Sequence, residues 1–108
     1  MVAATLRGGD AVAATTQLQD IVRDAPDFEA ARVTLGNVLL ARGLRSDAEA
    51  VYNDALALIN RKLADAEKRL AAATTMTVSE YGELRSSVAA LRAQRDSVNE
   101  RLKTIRGS

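Results

Sequence analysis

The side chains that could carry a reaction in this chain are carboxylates. Asp65 with Glu67, and Glu80 with Glu83, are the close pairs. The chain has no His and no Cys. That removes the commonest general base, thiol chemistry, disulfides and most zinc sites. Gly8-Gly9 stands outside any phosphate-loop pattern and reads as a turn. Carboxylates alone, without a base, a nucleophile or a ligand cluster beside them, read as solvated helix faces. The expectation is no enzyme, no cofactor and no bound metal.

The other charged candidates are basic. Residues 1–54 hold five cations and eight acids, while residues 55–108 hold ten cations and six acids. The halves therefore differ in sign, −3 against +4, around a total of +1. Arg61, Lys62, Lys68, Arg69, Arg85, Arg92, Arg95, Arg101, Lys103 and Arg106 make the C-terminal half basic. Glu80, Glu83, Asp96 and Glu100 interrupt them, and Glu100 with Lys103 has intrahelical pairing distance. Aromatics are 3% of the chain, too few for base-stacking platforms. The pattern argues for solvated helices and against a nucleic-acid surface.

The elements that position these groups are helices. Ala fills 21 of the 108 positions and Pro only one, and Ala is the best helix former. Asp10 is a plausible N-cap for a helix over 11–24, and Ala25-Pro26 ends it. Phe28, Ala31, Leu35, Val38 and Leu39 mark a second helix over 27–41, with Gly43 as its left-handed terminator. Ser46-x-x-Glu49 has the form of a capping box for a third helix over 47–73. Thr77-x-x-Glu80 has the same form for a fourth over 78–105. No apolar run approaches the ~18 residues that would cross a bilayer, so no membrane insertion is expected. No signal peptide is visible at Met1–Arg7. The compartment stays open, with the cytoplasm favoured over the periplasm.

The last two helices carry matching seams. Leu63 and Leu70 in the third, with Leu84, Val88, Leu91, Arg95, Val98 and Leu102 in the fourth, alternate by three, four or seven residues. Two seams joined by about four residues predict a long antiparallel hairpin. Arg95 interrupts the second seam, and is expected to snorkel or to meet an acid, with Asp65 and Glu67 in reach on the facing arm.

A 34-residue echo joins the first half to itself. Gly9, Ala14 and Asp20 recur as Gly43, Ala48 and Asp54, and Leu18 is answered by Tyr52. Such a period marks stacked helix-turn-helix units. The run Arg32-x2-Leu35-Gly36-x2-Leu39-x3-Gly43-x4-Ala48-x3-Tyr52-x2-Ala55-x4-Asn60 resembles one complete tetratricopeptide repeat (TPR). Gly9-x4-Ala14-x3-Leu18-x2-Ile21-x4-Pro26 resembles the second half of another. Arg32, Leu39 and Asn60 depart from the Trp, Tyr and Pro of the family pattern. The resemblance implies an all-α fold of TPR-like antiparallel helix pairs over 1–60, continuing into the helical hairpin of 61–108. That hairpin is either a diverged third repeat or a separate coiled coil. The resemblance also makes a helix of the segment around Met1, and Gly107-Ser108 looks like a cloning remnant. A piece of a longer protein is expected, with a short natural chain as the alternative.

The resemblance further implies a groove for a protein or peptide partner, lined by Ala30, Val33, Asn37, Leu40 and Ala41. The paired cations with which one branch of the family grips C-terminal carboxylates are missing, because Val33, Glu67 and Ala71 occupy their places. A second function class is structural: the hairpin, or an uncovered first helix exposing Leu18, Ile21 and Val22, would hold a homodimer or a domain-swapped pair.

Overall fold

A computed structural model describes residues 9–72 and 74–107. Four helices follow one another: α1 (Gly9–Asp24), α2 (Glu29–Ala41), α3 (Arg45–Ala71) and α4 (Val78–Gly107). The described residues contain no strand. The chain is all-α and elongated, 52 × 29 × 20 Å.

The turns follow from local chemistry. Pro26 stops α1, and Ala25 then accepts the amide of Phe28. The Arg32 side chain donates to the Pro26 carbonyl from below. That closed turn delays α2 to Glu29, two residues after the expected Asp27. At the far end of α2, Gly43 has φ +79, a conformation that costs a side-chain-bearing residue ~1–2 kcal/mol. Its amide donates to Leu40 and the Leu44 amide donates to Leu39, the two bonds of a Schellman ending.

That ending also corrects one expectation. Leu44 is the N-cap of α3, its carbonyl already accepting the Ala48 amide, and no side chain caps the helix. Ser46 therefore lies inside the first turn, and Glu49 pairs with Arg106 instead. Asp10 likewise sits within the first turn of α1, where its charge meets the positive helix end. The second expected box does form. Thr77 accepts the amide of Glu80, and the Glu80 carboxylate accepts the amide of Thr77.

Consecutive helices run antiparallel. Arg42, just past α2, reaches back to Thr15. Lys62 of α3 ties to Glu29 and to the Asp27 carbonyl at the start of α2. Arg92 of α4 meets Glu67 of α3, and Arg106 meets Glu49. It follows that α2 and α4 run parallel to one another on α3. One core joins all four helices, with Ala48, Tyr52, Ala55, Ile59 and Val98 fully enclosed. Residue 60, where the sequence reading divides the chain, lies within α3, which continues through Asn60 unbroken.

Candidate functional site

The predicted groove residues share one face of α2. Ala30, Val33, Asn37 and Leu40 are half-buried and Ala41 is exposed. Val33 and Leu40 rest on the core. Asn37 is held in place because the Tyr52 hydroxyl donates to its Oδ1 at 2.6 Å. Tyr52 itself is fully buried, so the face is shallow and the ring lies beneath it.

Tyr52 comes close to the face because the residue opposite is Gly36. A Cβ at position 36 would lie 2.5 Å from Cε1 and 2.7 Å from Cδ1 of the ring. The ring thus fills the space that a side chain on α2 would take, and its hydroxyl reaches the very next residue of that helix, Asn37. Burial pushes the hydroxyl pKa up from the ordinary tyrosine value, and the Arg101 guanidinium beside it offsets part of that. Asn37 of α2, Tyr52 of α3 and Arg101 of α4 therefore meet at one point. The sequence places Arg101 only among the ten cations of the basic C-terminal half. Its signal, a cation one position ahead of the seam residue Leu102, is too common to single it out.

The expected seam positions, Arg95 apart, lie where α4 packs against α3. Leu63, Val88, Leu91, Val98 and Leu102 are buried, and Leu70 and Leu84 pack on them as half-buried neighbours. Arg95 leaves the seam sideways, its Nε donating to the adjacent Asp96 at 3.1 Å. The acids expected for it on the facing arm do not serve. Glu67 is taken by Arg92, which stands one helical turn nearer the hairpin tip. The side-chain Oε1 of Gln94 is buried with no hydrogen-bond partner.

The first helix is less bare than expected. Leu18 is buried and Val22 half-buried, both against α2 and the core, and only Ile21 of the expected three is exposed. Among the described residues, the remaining exposed large apolar side chains are Val12, Phe28, Val78 and Tyr81. Val78, at 92% exposure, stands with Tyr81 at the hairpin tip. A cleft of about 520 Å³ opens in the corner where α3 passes the α1–α2 turn, lined by Asp27, Leu58, Arg61, Lys62 and Asp65.

One member of each carboxylate pair has a structural partner. Glu67 bridges to α4 and Glu80 caps it. Among the described residues, no three acids are grouped as a metal site would require, and no helix is long and apolar enough to cross a membrane. The chain matches no family model, no curated protein and no solved structure.

Proposed function

We propose that this chain is a non-enzymatic interaction module of TPR-like build, and that the Val33–Asn37–Leu40 face of α2 receives a protein or peptide segment. The observation that carries the reading is the clamped Asn37. A half-exposed amide fixed by a buried tyrosine, with half-buried apolar side chains a turn to either side, is a preorganised polar point on an apolar strip. Preorganisation of that kind lowers the ordering cost of binding.

The echo supports the TPR-like reading. Ala14 and Ala48 are both buried, as are Leu18 and Tyr52. Arg42 reaches Thr15 on α1 as Arg106 reaches Glu49 on α3, and Thr15 and Glu49 are themselves 34 residues apart. The end of α4 thus stands to α3 as the end of α2 stands to α1. On this reading α2 and the C-terminal half of α4 form the two walls of the binding face.

The test is a displayed random-peptide library selected on the intact chain. Peptides recovered by it should be lost by Val33→Glu with Leu40→Glu, provided that circular dichroism shows an unchanged helical spectrum. Peptides that bind both proteins equally would sink the reading.

A second reading, self-association, is favoured by Val78 and Tyr81, which leave an apolar tip on the hairpin. Light scattering should then give a mass above the 11.5 kDa of one chain, reduced to that mass by Val78→Ser with Tyr81→Ser.

A further inference from the structure

We infer that Arg101 and Asn37 together receive the carboxylate of an acidic side chain lying within the bound peptide, with apolar residues before and after it. The inference rests on the α2 face being a peptide-binding surface.

The donors belong to Asn37 and Arg101. Accepting from the Tyr52 hydroxyl occupies Oδ1 of Asn37, which leaves the two amide N–H groups to point elsewhere. Arg106 meets Glu49 and Asn53, a register that sets Arg101, five residues earlier on α4, alongside the stretch of α3 that carries Tyr52; its guanidinium shares the same hydroxyl and is exposed. Its neighbours along α4 are all engaged: Arg92 with Glu67, Arg95 with Asp96, Lys103 with Glu100 and Arg106 with Glu49. Among the described residues of that stretch, Arg101 is the cation without a carboxylate. A planar guanidinium and an amide offering only N–H groups call for an anion with two oxygens.

The position along the face decides which carboxylate. Val33 lies four residues before Asn37 and Leu40 three after it, roughly 6 and 4.5 Å along the helix axis. Both are half-buried apolar side chains with surface to cover. A peptide ending at the carboxylate would cover one of them and leave the other wet. A peptide running through covers both, so the acid is internal to the chain.

The probes are three pools of short peptides, passed over the immobilised intact chain. All have Leu fixed on both sides of a central residue and random positions elsewhere. One pool is acetylated, amidated and centred on Glu; the second is identical but centred on Gln; the third is centred on Gln with a free C-terminal carboxylate. The expected result is retention of the Glu pool at least ~10-fold above the other two. Arg101→Gln, folded by circular dichroism, should make the three pools equal. Equal retention of the Glu and Gln pools by the unmodified chain overturns the inference, as does preference for the free C-terminus or a Glu preference that survives Arg101→Gln. Equal retention abolished by Val33→Glu with Leu40→Glu would leave the α2-face reading standing. Retention of no pool would bring down both.

Discussion

Gly36→Ala isolates the contact on which the α2 face is built. In the middle of an ordinary helix this exchange stabilises by ~1 kcal/mol, since Ala loses less backbone entropy than Gly. Here the new Cβ would sit 2.5 Å from Cε1 of Tyr52, where ordinary contact starts at 3.4 Å, a shortfall of 0.9 Å. The ring cannot retreat, because Tyr52 is fully buried and its neighbours are close-packed. Overpacking of this kind costs ~1–3 kcal/mol. Any shift of the ring also strains the hydrogen bond to Asn37, worth ~1 kcal/mol. The gain and the two costs leave a net destabilisation of ~1–3 kcal/mol, or a drop in Tm of roughly 4–12 °C for a chain of this size. Gly82→Ala is the matched control, because a Cβ there meets nothing within 4 Å, and it should stabilise by ~0.5–1 kcal/mol. Thermal and urea unfolding followed by circular dichroism measure both. Tyr52→Leu, which borrows the residue found 34 positions earlier at Leu18, should make Gly36→Ala nearly harmless in the double variant. A Gly36→Ala protein as stable as the parent, or more so, would refute the argument.

Three other outcomes are expected. Gly43→Ala should cost ~1 kcal/mol in urea unfolding, because φ +79 is strained for any residue with a Cβ. Leu91→Glu with Leu102→Glu should abolish the cooperative thermal transition, since both side chains are buried within one chain and an unpaired buried charge is costly. A variant that stays folded and merely loses self-association would place the seam between chains instead. Tyr52 is raised in pKa by burial, so the native state holds its proton more tightly than the unfolded state. That contribution is complete below the unfolded value near ~10 and is lost as pH rises through the higher native value. In a Tyr81→Phe background, tyrosinate absorbance should therefore appear above the ordinary range, and Tyr52→Phe should flatten the loss of stability at alkaline pH.

Helix identity was legible because each stop has a strong local cause. Pro26 forbids continuation, Gly43 supplies a left-handed residue, and Thr77 with Glu80 closes a reciprocal cap. On α4 the spacing of Leu84, Val88, Leu91, Val98 and Leu102 by three, four or seven residues marks the side that is buried or half-buried. Ser46-x-x-Glu49 misled for a reason the local pattern hides. Leu44 is delivered into α3 directly by the ending of α2, so the cap was already supplied, and Glu49 was drawn to Arg106, 57 residues away. The partner of Arg95 was misjudged because rotation of one helix about another settles which cation reaches an acid, and spacing does not report that rotation. Leu18 is buried because α2 covers it, a fact about packing. Arg101 could not be singled out from the other cations, since its meaning comes from Tyr52 and Asn37, each on a different helix.

The unbroken α3 has a mechanical consequence. Its 27 residues make a rod of roughly 40 Å, most of the 52 Å length of the molecule, with no Gly or Pro along it to act as a hinge. The α2 face is mounted on one half of this rod and the hairpin tip on the other. The tip is therefore an outrigger, carried past the Lys62 tether to Asp27 and Glu29 and braced by α4, which is tied to α3 at both Glu49 and Glu67.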